Sequence, residues 1–142
     1  MSNQDGGKAA QVKLVELARQ VRERAHAPFS DFKVGAALET HDGRVFTGCN
    51  VENSSYGLSI CAERVALFKA ISEGLRSGDF ARIAVIADTP GGMPVRPCGA
   101  CRQVISDLMG GEAEVVMANL RGEIEIQPVK ALLPAPFDRS FM

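Results

Sequence analysis

The residues able to do chemistry sit in two short segments, Cys61-Ala62-Glu63-Arg64 and Pro97-Cys98-Gly99-Ala100-Cys101-Arg102. Zinc takes thiolates readily, and a catalytic zinc site keeps three protein ligands with one position open to water. Cys98 and Cys101 are three residues apart, so both sulfurs can project from one face of a first helical turn. Cys61 opens a separate helix and closes the triangle. A helix N-terminus favours the thiolate form of a cysteine. Three thiolates around one zinc ion leave a net negative charge, which Arg64 and Arg102 are expected to offset. Glu63, two residues past Cys61, is the natural proton shuttle beside an activated water.

Two blander readings compete. A purely structural zinc site takes four protein ligands, and Cys49 is the obvious fourth. Yet Cys49 and Asn50 are adjacent at a strand end and should face opposite sides. If Asn50 faces the pocket, Cys49 turns away as a small buried apolar residue. A redox Cys-x-x-Cys leaves Cys61 and Glu63 unexplained.

These residues need elements to hold them. Apolar residues at helical spacing predict an amphipathic helix from Ala10 to about Ala27, which Pro28 ends. Met1 to Ala10 reads as a short frayed tail. Phe32 to Thr40 and Val45 to Val51 read as strands joined across His41-Asp42-Gly43-Arg44, and Asp-Gly is a strong hairpin signal. A polar loop to Ser59 leads into a helix over Cys61–Glu73, stopped by Gly74. Ile83–Ala87 suits a central buried strand. A third helix runs over Cys98–Met109. Strands Glu114–Asn119 and Glu123–Pro128 follow, with too few residues between them for a parallel crossover. They therefore form an antiparallel hairpin, and a helical turn over Val129–Leu133 follows. The order αββαβαββ implies an α/β chain folded as a three-layer α/β/α sandwich around a five-stranded mixed sheet.

The pairing of Cys-x-Glu with Pro-Cys-x-x-Cys is the general signature of zinc-dependent nucleobase deaminases, here with cysteine in the first ligand position. The resemblance extends further. Phe32-Lys33-Val34-Gly35-Ala36-Ala37-Leu38, Gly48-Cys49-Asn50-Val51-Glu52-Asn53 and Pro97 to Gln103 closely resemble the homotetrameric, three-cysteine cytidine deaminases of pyrimidine salvage. The likeness runs from about Leu14 to Phe137. It implies a cytidine deaminase-like fold, Zn2+ held by Cys61, Cys98 and Cys101, and Glu63 as acid and base. It also implies that Arg64 hydrogen-bonds a zinc-bound sulfur, and that Gln103 could donate to one too. Asn50 and Glu52 would hold the ribose hydroxyls, Phe32 would pack against the pyrimidine, and the Ala62 backbone would contact the base carbonyl. Tyr56 and Phe137 would reach sites in neighbouring subunits of a homotetramer. The reaction implied is hydrolytic deamination of cytidine and 2′-deoxycytidine. The departures are small: Phe29 stands where tyrosine is usual, Val65 follows Arg64 where threonine or asparagine is common, and only five residues follow Phe137.

Composition narrows the partners. A chain of 142 residues suggests one domain over 1–142. Its 16 basic and 17 acidic residues give a net charge of −1, which disfavours avid binding to nucleic acid. The chain has no tryptophan and one tyrosine, few platforms for the flanking bases of a polynucleotide substrate. A small nucleoside is therefore the expected partner. The apolar runs are too short for a membrane span, and the N-terminus carries no apolar leader segment, so the expected compartment is the cytoplasm. Asn50-Val51-Glu52-Asn53, suited to ribose, argues against a cytosine antibiotic as substrate. A catalytically silent zinc scaffold would not need Glu63.

Overall fold

The computed structural model describes residues 2–142, with side chains from residue 7 onward. Its elements run α1 (Ser2–Arg22), β1 (Val34–Thr40), β2 (Val45–Cys49), α2 (Ala62–Ser72), β3 (Phe80–Ala87), α3 (Gly99–Met109), β4 (Glu114–Asn119), β5 (Ile124–Pro128) and α4 (Val129–Leu132). The sheet order is β2-β1-β3-β4-β5. β3 and β4 are parallel, joined through α3, and every other pair is antiparallel. The terminal hairpin pairs Val116 with Ile126, as the short connection demands.

The strands alternate two apolar faces. Ala36, Leu38, Ile83, Val85, Val115 and Met117 pack with Ala62, Ala66, Leu67, Cys101 and Ile105 of α2 and α3. Ala37, Ala84, Ile86, Val116 and Ala118 pack with Leu14 and Ala18 of α1 on the other side. The result is the expected three layers. Two glycines permit close approach. A Cβ on Gly35 would collide with the Ala18 carbonyl of α1, and one on Gly48 would lie 2.5 Å from Ala66 N and 2.6 Å from Ala62 O of α2. Ala62, Ala66 and Ala70 are fully buried, so α2 lies directly on the sheet.

The element boundaries differ from expectation in informative ways. α1 starts at Ser2, well before Ala10, running through Gly6-Gly7 although glycine disfavours a helix. It ends at Arg22, before Ala27. There Glu23, Arg24 and Ala25 donate to carbonyls three residues back at 3.3, 2.9 and 3.0 Å and tighten the last turn. His26 then bridges Val51, with His26 N donating to Asn50 O at 2.9 Å and Glu52 N donating to His26 O at 2.8 Å. This bridge lays the loop 27–33 beside the end of β2. β1 starts at Val34, after Phe32, and β2 ends at Cys49, before Val51. There the Asn50 amide still donates to Val34 O at 3.3 Å, while its side chain adds two bonds: its Oδ1 accepts from Val34 N at 2.9 Å and its Nδ2 donates to Phe32 O at 2.8 Å.

Candidate active site

Cys61 and Cys98 occupy the N-cap positions of α2 and α3, both in extended backbone. Cys98 Sγ accepts from the Cys101 amide at 3.4 Å, which closes the first turn of α3. The chain therefore aims two helix N-termini at one point, and the positive end of each helix dipole favours a thiolate there. The Cys61 and Cys98 sulfurs are 3.9 Å apart, and all three cysteine sulfurs lie within 4.8 Å of one another. A tetrahedral zinc with bonds of about 2.3 Å sets its sulfur ligands about 3.8 Å apart. The donor set and its spacing fit zinc.

The electrostatics point the same way. The neighbouring Cys101 thiol, together with the Arg64 guanidinium, holds Cys61 down to about 5. Arg64 Nη2 donates to Cys61 Sγ at 3.3 Å, and this contact raises the Arg64 pKa in turn. Cys101 is pushed up by Cys61 and by burial. Crowded thiols resist ionising together, and a divalent cation removes that resistance. Glu63 is 4% exposed, and burial raises its carboxyl to about 7.

Cys61, Cys98 and Glu63 line one cleft of about 300 Å3. Ala62 is on its wall, fully buried, and Phe32, Asn50 and Glu52 line it too. Asn50 spends one bond of each amide atom on the backbone, leaving one N–H and one lone pair for a ligand. Glu52 accepts from Phe29 N at 3.0 Å, from Ser30 N at 3.1 Å and from Ser30 Oγ. These bonds hold its carboxyl below the ordinary value, the Ser30 hydroxyl contributing most.

The family model described as the cytidine and deoxycytidylate deaminase zinc-binding region matches residues 8–118. The chain belongs to that deaminase family. It is 50% identical over 127 residues to the cytidine deaminase of Sporosarcina psychrophila, covering 89% of this chain and 90% of that protein. It is 53% identical over 124 residues to the cytidine deaminase of Halalkalibacterium halodurans, covering 87% and 91%. The crystal structure of cytidine deaminase from Burkholderia pseudomallei superposes with a TM-score of 0.85 at 54% identity, over 88% of this chain and 97% of that one. That from Mycobacterium tuberculosis gives 0.73 at 37% identity, over 88% and 94%. The cofactor of this deaminase is Zn2+, and the three-cysteine cluster is where the donors converge.

Around the deaminase cleft the remaining expected residues divide. Cys49 pairs across the ladder with Gly35, whose missing side chain faces α1, so Cys49 points to the layer opposite α2. It is not placed to be a fourth ligand. Tyr56 is 75% exposed and packs edge-on against Phe29 at 6.0 Å. Phe137 is 59% exposed and stacks on Phe141 at 5.7 Å. Neither lines the cleft. Gln103 donates to the Phe137 carbonyl at 2.9 Å, in place of the expected cysteine sulfur. Two residues past Cys101, it lies more than half a helical turn around α3 from the thiol face. Arg102 likewise turns to the Pro97 and Leu132 carbonyls at 2.8 and 3.1 Å. Arg64 alone of the two expected arginines meets a ligand sulfur. Ser30 and Arg96 line the cleft without having been picked out from the sequence. Their positions, beside Phe32 and beside Pro97-Cys98, were the only signal. Arg96 is held by Glu125 of β5, at 3.2 Å from Nη2.

Proposed function

We propose that the chain is a cytidine deaminase: it hydrolyses cytidine and 2′-deoxycytidine to uridine and 2′-deoxyuridine with release of ammonia. The observation that carries this reading is a cluster of three thiols, two of which line one cleft together with the buried Glu63, Asn50, Glu52 and Phe32. Cys61, Cys98 and Cys101 would hold zinc, which when bound supplies Lewis-acid activation of water at neutral pH. Glu63 takes a proton from the attacking water and delivers it to N3 of the cytosine ring as the water oxygen bonds to C4. Glu63 then moves the second water proton from that oxygen to the amino nitrogen. The C4–N bond breaks, ammonia leaves, and the C4 carbonyl of uridine remains. Asn50 and Glu52 orient the ribose hydroxyls, Phe32 packs on the pyrimidine, and the Ala62 backbone meets the base carbonyl. Arg64 stabilises the charge on Cys61.

The exposed aromatic rings of Tyr56 and Phe137, together with Phe68 of α2 at 46% exposure, suit burial between copies of this chain. We place Tyr56 and Phe137 at neighbouring sites of a homotetramer. A monomer in light scattering at working concentration would contradict this. One domain spans 1–142. Three thiols that must stay reduced suit a reducing compartment, the cytoplasm. No helix among the described residues is long and apolar enough to cross a membrane.

The test is the ultraviolet absorbance change of cytidine and of 2′-deoxycytidine on adding the zinc-loaded protein, with released ammonia measured alongside. Turnover of both is expected. A fully zinc-loaded protein that changes neither would overturn the reading.

A further inference from the structure

The loop that carries Phe32 is tied to Glu52 by two backbone amides and by the Ser30 hydroxyl, and the hydroxyl alone also meets the Phe32 amide. Ser30 Oγ donates to Glu52 Oε2 and accepts from the Phe32 amide at 3.0 Å. Between them Asp31 is held at φ 58°, in the left-handed region, with its amide donating to Ala27 O at 2.9 Å. That turn brings residues on both sides of Asp31 to the cleft, which Ser30, Phe32 and Glu52 all line.

A serine hydroxyl has one proton and two acceptor lone pairs. Donation to the Glu52 carboxylate commits the proton, so the oxygen faces the Phe32 amide as an acceptor. A hydroxyl polarised by an anion accepts more strongly, so the two bonds reinforce each other. Glu52 Oε1 is meanwhile held by the Phe29 and Ser30 amides. Of the roughly four lone-pair positions on a carboxylate, the loop occupies three, and the remaining one is directed by what the loop leaves free.

We propose that Ser30 is a positioning residue for nucleoside binding, its hydroxyl coupling the carboxylate that meets the ribose to the ring that packs on the base. This rests on the roles given above to Glu52 and Phe32. Without the hydroxyl, the Phe32 amide loses its acceptor and Glu52 Oε2 loses its donor, so the carboxylate is held at Oε1 alone. The sugar and base contacts then no longer form in one fixed geometry.

The experiment compares the wild type with Ser30→Ala, Ser30→Thr, Glu52→Gln and the Ser30→Ala/Glu52→Gln double variant. The readouts are KM and kcat for cytidine, Kd for uridine by calorimetry, and thermal unfolding. Ser30→Ala is expected to raise KM and the uridine Kd about tenfold, the size of a lost charge-assisted hydrogen bond, while kcat changes less than about threefold. Ser30→Thr, which keeps the hydroxyl, restores most of the loss. Both residues act through one linkage, so the double variant should bind little worse than Glu52→Gln alone. Unchanged KM and Kd in Ser30→Ala, beside a clear loss in Glu52→Gln, would overturn the coupling and leave the ribose role of Glu52 standing. No loss in either variant would overturn both. A lower melting temperature with unchanged binding would reduce Ser30 to a structural role, and additive losses in the double variant would also refute the coupling.

Discussion

Arg64 Nη2 reaches Cys61 Sγ at 3.3 Å across the first turn of α2, and Arg64 Nε is buried without a hydrogen-bond partner. A cation is thus fixed against one thiolate of a site whose ligands would otherwise leave zinc with excess negative charge. Groups that hold metal ligands in this way are worth about 10–100-fold in metal affinity or activity. Arg64→Gln should therefore lose kcat by about that factor and lose zinc faster to a chelator, read as zinc content after timed dialysis. Arg102→Gln gives a contrast. Its partners are the Pro97 and Leu132 carbonyls, so it should lower the melting temperature more than the zinc content.

Cysteine substitutions should separate ligands from bystanders. Cys98→Ser should abolish stoichiometric zinc, since only two sulfurs remain at the convergence point. Cys49→Ser should keep full zinc and near-normal turnover, because Cys49 faces the α1 layer. Zinc measured by atomic absorption in both proteins decides the matter.

Gly48→Ala probes how the fold places the site. The new Cβ would press on α2 backbone at 2.5 and 2.6 Å, in the first turn after Cys61, which contains Glu63. Overpacking of this kind costs about 1–3 kcal/mol. In a domain of this size that lowers the melting temperature by about 3–10 °C. Turnover should fall more than stability alone explains, because α2 carries Glu63 and Arg64, proposed above to serve the reaction, at its start. Calorimetry and kinetics on the same preparation test this.

The Glu52 carboxyl should titrate below the ordinary glutamate value of 4.5, chiefly because Ser30 donates to it. A carboxyl depressed by folding adds stability above its unfolded pKa, and that contribution fades as pH falls through its folded pKa. The loop 27–32 should therefore loosen only below pH 4.5 in the wild type. In Ser30→Ala the titration should move up toward the ordinary value. Carbon-13 NMR of the Glu52 carboxyl follows both.

The three-cysteine cluster was legible because cysteines at helix starts are chemically specific and locally spaced, and the same pattern singles out Glu63 beside it. The sheet was legible because Asp42-Gly43 and the short connection Leu120–Gly122 fix hairpins locally. What escaped depends on contacts distant in sequence. The Asn50 side chain bonds the backbone at Phe32 and Val34, where the two strands meet the loop, and no local pattern announces it. Gln103 follows a ligand closely, yet its partner is Phe137, in a segment the fold brings back against α3. Arg96 sits in the cleft because Glu125 on β5 holds it. Ser30 carries no local signal either, since its partner Glu52 lies 22 residues away.

The central claim is that Glu63 moves the protons of a zinc-dependent deamination. The most direct measurement is cytidine turnover by the wild type and Glu63→Gln, with zinc quantified in both. The account predicts full zinc in both proteins, turnover in the wild type, and a loss in Glu63→Gln beyond the roughly 10²–10⁴-fold span typical of general acid–base catalysis or at its upper end. Near-normal turnover by zinc-loaded Glu63→Gln would contradict it.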